Sequence, residues 1–491
     1  MIRRLLLNRE NAEKTAVIDG EKTITYGELA RKGLALQHYL PQGPANVAVF
    51  LPNGGDYISA VFGVFWFGMT AFPLSVQMTV DEVLPFLKQG DVSAIVTSKK
   101  FDMMFEDIRA NHLPTSCVIY MEDLYPRESE YFPASVDLGP EEPMVLFATS
   151  GTTGKPKIVQ LSEKNVETSA LGYMDRIGIG FPKTGENEIR YTIASPFSTA
   201  YSLMILIACL IRSFPLVLLP ERFTLDTLYR TIQDHKVTNY EGGAVVPLLM
   251  EQTAGRPIPY DLHTVKHFGF GGSKVSGDTI RRLSEAYPWI TFSQGYGMTE
   301  TAPQVSKNVN AKDGKWDSVG SAVKLVKIAI EAGGQITDAP YTEGEIVVKG
   351  PNIMLGYYKN EEATHKVLKN GYLYTGDIGY LDENGYLYLC GRKKNMIIVR
   401  GFNVYPEEVE ACIQNGRLAK DSFVYGETDP LENEILCVDI VPTDPPVGVD
   451  KIRAYLRTHL SEYKQPQKIR FVDAIPKGAT GKTERTAKGT R

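Results

Sequence analysis

Residues 149–157 read T-S-G-T-T-G-K-P-K and lie between two short apolar runs, at 144–147 and 158–159. Apolar runs on both sides of a glycine-rich segment predict a strand, a loop and a second strand. Glycine lets backbone N–H groups come close to an anion, and hydroxyl and ammonium groups supply further donors. The composition of this loop therefore indicates that it binds a polyphosphate.

The Walker phosphate loop is one alternative for this stretch, and a glycine-rich hairpin without a ligand is another. A Walker loop has four residues between its first glycine and a Gly-Lys pair, followed by Ser or Thr and a helix. Here two residues separate Gly151 from Gly154, and Pro156 follows Lys155. The spacing excludes the Walker loop and leaves the hairpin as the alternative to a binding loop.

The residue order resembles the loop T-S-G-T-T-G-x-P-K-G of the adenylate-forming superfamily, which comprises acyl-CoA synthetases, luciferases and peptide-synthetase adenylation domains. Every position matches except the last, where Ile158 replaces glycine. The pattern is most similar to that of acid–CoA ligases. The resemblance implies that the phosphates of ATP contact the loop residues Thr149, Ser150, Gly151, Thr152, Thr153, Gly154, Lys155 and Lys157.

The size and composition of the chain narrow its class. A length of 491 residues is too great for one core, and roughly 150 residues per domain suggests about three units. A charged content of 23% and a net charge of −5 give no electrostatic footprint for nucleic acid. The longest apolar run, 201–211, is too short for a membrane span. Five cysteines without C-x-x-C spacing indicate a reducing cytoplasm and no zinc.

Strand-like and helix-like segments alternate over 23–98 and again over 192–270, which indicates β-α units with mostly parallel sheets. From 344 to 390, short strands separated by Gly, Asn and Asp predict β-meanders or a small barrel. We therefore predict an α/β fold: a large N-terminal domain of two β-α sheets plus a small β-barrel-like subdomain, followed by a small α+β C-terminal domain. The resemblance implies that the last domain is mobile, with an N-terminal domain at 1–391, a hinge at 392–395 and the mobile domain at 396–491.

Residues 294–301 read Q-G-Y-G-M-T-E-T and resemble the second signature of the superfamily. In that pattern the tyrosine stacks on adenine, the threonine contacts the α-phosphate, and Glu300 holds Mg²⁺. A hard carboxylate beside phosphate oxygens suits this metal. On the residues alone, a loop with a capping Thr and Glu is the alternative. The resemblance assigns these residues to the nucleotide site: Gln294, Gly295, Tyr296, Gly297, Met298 and Thr299.

Two shorter motifs complete the nucleotide site that the resemblance implies. Gly271, Gly272 and Ser273 would form the floor of the adenine pocket, where a missing Cβ admits the purine. Asp377, which ends a T-G-D motif, would accept hydrogen bonds from both ribose hydroxyls. An ordinary glycine turn and an aspartate in a turn are the respective alternatives.

Four residues toward the C-terminus take their expected roles from the resemblance. Arg392 would reach ribose or phosphate, and Lys394 would be the pivot of the hinge. Gly401 would line the thioester-forming tunnel, and Lys482 would be the catalytic lysine. On the residues alone, a solvated basic turn and a solvated basic terminus are the alternatives.

The resemblance covers nearly the whole chain and implies an ATP-dependent ligase that forms an acyl-AMP, releases pyrophosphate and passes the acyl group to coenzyme A. A carboxylate nucleophile is already ionised at neutral pH, so the first step needs charge neutralisation more than a general base. We expect Mg²⁺ with Glu300, together with Lys155, Lys157 and Lys482, to supply it. Two alternatives stay open: transfer to the phosphopantetheine thiol of a carrier protein, and a nucleotide-binding relative without catalysis.

The identity of the acid is largely hidden in the sequence. Amino-acid activators of the superfamily usually carry F-D-x-S, whereas Ser198 follows Phe197 here, so an amino acid is disfavoured. Apolar segments at 201–211 and 244–248 favour a hydrophobic acyl or aryl acid. Thr199 replaces a histidine that often borders the acyl pocket in the superfamily, and Glu163 replaces the histidine of a second motif, L-S-H-x-N.

Overall fold

Two large sheets with helices on their faces, and a smaller antiparallel sheet after them, appear in the computed structural model of the chain. The structure describes residues 2–113, 117–125, 139–149, 157–178, 189–255, 257–309, 314–399, 402–429 and 433–477. Within these ranges the α-helices are α1 (Tyr26–Ala35), α2 (Gly55–Trp66), α3 (Val80–Gln89), α4 (Asp102–Asn111), α5 (Glu163–Gly178), α6 (Ala200–Arg212), α7 (Leu225–His235), α8 (Val245–Thr253), α9 (Gly277–Ala286), α10 (Glu361–Val367), α11 (Pro406–Asn415) and α12 (Val449–His459). The strands are β1 (Thr15–Asp19), β2 (Lys22–Thr25), β3 (Asn46–Phe50), β4 (Thr70–Pro73), β5 (Val92–Thr97), β6 (Cys117–Tyr120), β7 (Pro143–Thr149), β8 (Lys157–Ser162), β9 (Tyr191–Ile193), β10 (Leu216–Val217), β11 (Asn239–Gly243), β12 (His267–Gly271), β13 (Thr291–Tyr296), β14 (Ser306–Asn308), β15 (Ser321–Ala322), β16 (Lys327–Ala332), β17 (Gln335–Thr337), β18 (Gly344–Lys349), β19 (Gly356–Tyr357), β20 (Leu368–Lys369), β21 (Tyr372–Leu381), β22 (Leu387–Arg392), β23 (Ile397–Val399), β24 (Phe402–Val404), β25 (Asp421–Asp429), β26 (Asn433–Val441) and β27 (Lys468–Phe471).

The first sheet has the strand order β19-β8-β7-β4-β3-β5-β6, and its strands from β7 to β6 run parallel. Strands β7 and β8 are antiparallel, with Thr149 opposite Lys157, which confirms the predicted strand, loop and strand. Strand β19 closes the edge beside β8, although it comes from a distant part of the chain. Asn165, in the first turn of α5, fastens the same segment by donating to the carbonyl oxygens of Pro351 and Ile353, both at 2.8 Å.

The second sheet has the order β15-β14-β13-β12-β11-β9-β10-β1-β2. Its strands from β13 to β1 run parallel, as the alternation of strands and helices predicts. Because successive side chains on a strand point to opposite faces, each face of β12 has its own residues. Phe268 and Phe270 pack into the core under α8 and α9, whereas Gly269 and Gly271 face the opposite side.

Helices α2 and α6 are apolar on nearly every side because they lie inside the core. Nearly every side chain of α6 from Ala200 to Leu210 is buried, which accounts for the apolar run in the sequence. Among the helices of the described ranges, none is both long and apolar enough to cross a membrane. Helices α1 and α3 begin at capping boxes, Thr25 with Glu28 and Thr79 with Glu82, which satisfy backbone N–H groups of the first turn.

The strand-rich segment predicted at 344–390 belongs to an antiparallel sheet with the order β17-β16-β18-β21-β20, and β22 pairs with β21. The predicted hinge at 392–395 is partly regular, since Arg392 ends β22 and a 3₁₀ turn spans Lys393–Asn395. The following strands and helices, from β23 to β27, enclose a separate hydrophobic core. Arg417 reaches from this C-terminal part to α8, where its Nη2 lies 3.0 Å from Glu251 Oε1.

Candidate active site

Glycine residues meet at the carboxyl ends of the central strands of the second sheet. Gly243 of β11 lies opposite Gly271 of β12, and a Cβ added at Gly271 would lie 3.4 Å from the carbonyl oxygen of Gly295. A Cβ added at Gly243 or Gly272 would meet no described atom within 4 Å. Ligands of α/β sheets bind at the carboxyl ends of the strands. Gly243, Gly271 and Gly295, here called the glycine row, thus form a floor without side chains, against which a ligand can lie close to the backbone.

Three of the predicted nucleotide residues are brought together from three different strands. The hydroxyl of Tyr296 donates to Asp377 Oδ2 at 2.8 Å, and Arg392 Nε lies 3.1 Å from Asp377 Oδ1. Burial raises the pKa of Tyr296 well above its usual value, and the adjacent Asp377 raises it further, so the phenol stays protonated and donates. Contrary to the turn that its motif suggests, Asp377 lies within the long strand β21.

The loop after Tyr296 requires glycine at its next position. A Cβ on Gly297 would lie 1.5 Å from the carbonyl oxygen of Pro303, so any side chain would force the loop apart. Thr301 Oγ1 accepts from the Met298 N–H at 3.1 Å and donates to the Met298 carbonyl at 2.8 Å. These contacts hold the 3₁₀ turn Thr299–Thr301 and thereby fix the orientation of Glu300.

Gln294 has a role in holding this region together. Its Oε1 accepts a 2.6 Å hydrogen bond from the N–H of Val275, which follows the Gly272-Ser273-Lys274 segment. The segment after β12 is therefore tied to β13. The contact of Gln294 with the nucleotide stays a prediction.

Glu300 and Lys157 converge on opposite parts of one tyrosine. The hydroxyl of Tyr357 donates to Glu300 Oε1 at 2.8 Å, and the ammonium of Lys157 lies 4.7 Å from the centroid of the Tyr357 ring. Tyr357 is placed there because β19 pairs with β8. Burial, and then Glu300, raise its pKa, so the phenol remains a donor. Tyr357 has no place in the sequence motifs; its proximity to Glu300 depends on long-range strand pairing.

The donor set at Glu300 fits Mg²⁺. Among the described residues, no group of three or more His, Cys, Asp or Glu side chains could enclose a metal ion. Mg²⁺ is usually bound through one or two carboxylates together with substrate phosphates and water, rather than by a cage of protein ligands. A single buried carboxylate beside the end of the phosphate loop meets that requirement.

Several predicted site residues lie at the margins of the described ranges or outside them. Thr149 ends β7, where its Oγ1 donates to the carbonyl of Lys157 at 3.2 Å and closes the base of the loop. Lys394 lies in the exposed 3₁₀ turn Lys393–Asn395. The predicted residues outside the described ranges are Ser150, Gly151, Thr152, Thr153, Gly154, Lys155, Gly401 and Lys482.

Thr199 and Glu163, which replace histidines of the superfamily pattern, have structural roles. Thr199 is the N-cap of α6, and its Oγ1 accepts from the N–H of Ser202 at 3.3 Å. Glu163 is buried and pairs with Arg3, whose Nε lies 3.1 Å from Glu163 Oε2. Burial lowers the pKa of Arg3, but Glu163 opposes that shift and keeps the pair ionised. Glu163 thus anchors the first residues of the chain against α5.

Sequence comparison covers both parts of the chain. The profile of the AMP-binding enzyme family matches residues 7–358, and the profile of the AMP-binding enzyme C-terminal domain matches residues 408–482. A 2-succinylbenzoate--CoA ligase of Bacillus subtilis (strain 168) is 30% identical over 478 residues, which is 96% of this chain and 93% of that protein.

Solved structures show the same architecture. The o-succinylbenzoate CoA synthetase from Bacillus subtilis, in complex with its acyl-adenylate intermediate, superposes with a TM-score of 0.86 at 28% identity, covering 100% of this chain and 98% of the other. The same enzyme in complex with ATP and magnesium ion gives a TM-score of 0.84 at 27% identity, covering 98% and 97%.

Proposed function

This chain belongs to the AMP-binding enzyme family and is an acid–thiol ligase that forms AMP and pyrophosphate, and we propose which residues carry out its reaction and which class of acid it takes. The first half-reaction joins a carboxylate to the α-phosphate of ATP. The second passes the acyl group from AMP to the thiol of coenzyme A.

The proposed residue roles rest on one observation, which is the convergence of two groups of side chains on a single loop. Tyr296 is tied to Asp377, and Glu300, four residues later, is tied to Tyr357. A nucleoside would therefore be held at one end of the loop and its phosphates at the other. Asp377 would accept from the ribose hydroxyls, and Arg392 would stand beside it.

Charge neutralisation is the main demand of the first half-reaction, because an anion attacks a polyanion. When bound, Mg²⁺ supplies a Lewis acid that offsets the phosphate charge. Glu300 would hold the metal, and Tyr357, by donating to Glu300, would fix the carboxylate in place. Lys157, held over the ring of Tyr357, would add positive charge at the end of the phosphate loop. Lys155 and Lys482 keep the roles that the family pattern gives them.

The second half-reaction would require the C-terminal part to present a different surface to the same site. We propose the boundaries 1–391, 392–395 and 396–491 for the domains and hinge, with Lys394 as pivot. The separate hydrophobic core of the C-terminal part supports this division. Gly401 would then line the path of the thiol.

The acid is proposed to be an aryl or other compact carboxylic acid, with 2-succinylbenzoate as the first candidate because the relatives are named for it. A carrier-protein thiol is the second candidate acceptor. We place the enzyme in the cytoplasm, a proposal supported by the five cysteines, all of which are free thiols.

The test is pyrophosphate release from ATP and Mg²⁺ with a panel of carboxylic acids that includes 2-succinylbenzoate. Acid-dependent release is the expected result. The acyl-AMP would then be offered coenzyme A or a carrier protein bearing phosphopantetheine, and thioester formation with coenzyme A is expected. Binding of ATP without release for any acid would instead identify a non-catalytic nucleotide-binding protein.

A further inference from the structure

A buried cluster of polar side chains lies directly behind the glycine row. Glu241 of β11 is opposite Gly269 of β12, which in turn is opposite Ser293 of β13. Residues two apart on a strand share a face. Glu241 therefore lies on the same face as Gly243 and is two residues farther from the carboxyl end of the strand. The side chain of Glu241 is fully buried.

Four groups from the sheet and from the helices above it surround the Glu241 carboxylate. The Lys307 ammonium lies 3.1 Å from Oε1 and 3.2 Å from Oε2. The hydroxyl of Tyr173 in α5 donates to Oε1 at 2.7 Å, and the hydroxyl of Tyr201 in α6 donates to Oε2. His267 Nδ1 lies 3.4 Å from Oε1. Glu241 and these four groups, here called the polar stop, therefore bridge the sheet to α5 and α6.

The neighbouring backbone is shaped to admit this carboxylate. A Cβ added at Gly269 would lie 2.1 Å from Glu241 Oε1, so the carboxylate rests against bare backbone. Lys307 is paired in the sheet with Gly295, the residue before Tyr296. The polar stop thus adjoins the glycine row at one side and the nucleotide residues at the other.

A buried ion pair adds little to stability when compared with apolar side chains of similar size. Lys307 illustrates the cost, since burial lowers its pKa and only Glu241 opposes the shift. Such a pair is better explained by a requirement for ligand specificity at this position than by a contribution to stability. A site that ends in hydrogen-bonding groups rejects ligands that bury only methylene groups against it.

We propose that Glu241 and Lys307 form the blind end of the acyl site and select compact acids that carry a hydrogen-bonding group at the end remote from the reacting carboxylate. The inference rests on the proposed function and narrows it. The apolar segment 244–248 does not oppose it, because Val246 of α8 packs with Phe268 and Phe270 on the other face of the sheet.

The test uses acids that differ at their remote end. One pair is 2-succinylbenzoate and 4-oxo-4-phenylbutanoate, which lacks the ring carboxylate, and a second series is the straight-chain acids from butanoate to dodecanoate. For the unaltered enzyme, kcat/KM for pyrophosphate release should favour the polar-ended acid by about tenfold or more and fall along the aliphatic series. Equal values within the pair, or a preference for dodecanoate, would overturn the inference while leaving the proposed function intact.

The matched variant replaces the ion pair by apolar side chains, Glu241→Met with Lys307→Met. It should reduce the ratio within the pair by about tenfold and move the best aliphatic acid to a longer chain, with KM for ATP unchanged. Glu241→Gln with Lys307→Met is a second variant that keeps an acceptor for the tyrosines if the first does not fold.

Replacing the buried pair Arg3 and Glu163 by Met is the control and should leave the profile of kcat/KM across the acids unchanged. An unchanged profile in a folded Glu241 and Lys307 variant would overturn the inference. Absence of release by the unaltered enzyme with every acid would overturn the proposed function as well.

Discussion

The hydroxyl of Tyr296 donates to Asp377 across 81 residues of sequence, and the distance between the two oxygens is 2.8 Å. One oxygen of the Asp377 carboxylate is therefore engaged by the ring expected to stack on adenine, and the other lies beside Arg392. A change at either end of this hydrogen bond should alter the position of the other group.

Replacing Asp377 by Ala should weaken ATP binding more than it weakens binding of 2′,3′-dideoxy-ATP. The lost acceptor serves the ribose hydroxyls, and a hydrogen bond to a charged group contributes about 1.5–3 kcal/mol. Affinities for both nucleotides would be measured by calorimetry, with Tyr296→Phe as the companion variant. Equal losses for the two nucleotides would remove Asp377 from the ribose site.

Glu300→Gln should reduce adenylate formation by about 10² or more, because a neutral amide is a poor ligand for Mg²⁺ and the phosphate charge is left unbalanced.

Tyr357→Phe, which removes the donor to Glu300, should raise the Mg²⁺ concentration needed for half-maximal rate by about 2- to 10-fold. Tyr358→Phe is the matched control, since its hydroxyl donates to Asp91 instead. If the unaltered enzyme, Tyr357→Phe and Tyr358→Phe showed the same Mg²⁺ dependence, Tyr357 would have no role in supporting Glu300.

Lys482→Ala should slow adenylation by about 10² and scarcely affect transfer from a supplied acyl-AMP to coenzyme A. Its charge is needed while pyrophosphate leaves, and no pyrophosphate leaves during thioester formation. Rapid-quench kinetics of the two half-reactions would separate the effects. Comparable losses in both would refute alternation of the C-terminal domain.

Acid should destabilise the protein through His267. Burial, and then Lys307, lower the pKa of His267 well below its usual value, so the folded state keeps this imidazole neutral. Below about pH 6.5 the unfolded chain binds a proton that the folded chain does not, and stability falls by up to about 1.4 kcal/mol per pH unit. The free energy of unfolding would be measured by denaturant titration from pH 8 to 5.5.

The matched variants for this measurement are His267→Gln and His365→Gln, the latter on the exposed side of α10. The first should flatten the dependence below pH 6.5, and the second should leave it close to that of the unaltered protein. The slope is compared rather than the absolute stability, because His267→Gln also alters the hydrogen bond to Ser293. Equal slopes for the His267 variant and the unaltered protein would contradict the prediction.

The fold could be predicted from the sequence wherever its signals are local. The apolar runs on both sides of residues 149–157 are strands β7 and β8, and the alternation predicted over 192–270 is present in the elements from β9 to β12. The family resemblance is confirmed by the match over residues 7–358. The sequence predicts only short strands over 344–390, whereas β21 has 10 residues and continues through the T-G-D motif, where Gly376 has a left-handed conformation, φ +74°.

The contacts that complete the site could not be predicted because they join distant segments. Tyr357 meets Glu300 across 57 residues, and Lys307 meets Glu241 across 66. Neither pair follows from helical or strand periodicity, which reports only neighbours on one element. The sequence shows that 244–248 is apolar. It does not show on which face of the sheet this segment packs, because that depends on the register of β11 and β12.

The pairing of β19 with β8 has a consequence for biosynthesis. Until residues 356 and 357 leave the ribosome, β8 is an edge strand with unpaired N–H and C=O groups. The Asn165 amide likewise lacks its acceptor, the carbonyl oxygen of Pro351, until 186 further residues have been made. Unpaired edges recruit strands from other chains, and contacts of such sequence separation form slowly. We therefore expect incomplete nascent chains of this protein to be prone to aggregation at β8, and chaperones that cover exposed strand edges to raise its yield during rapid synthesis.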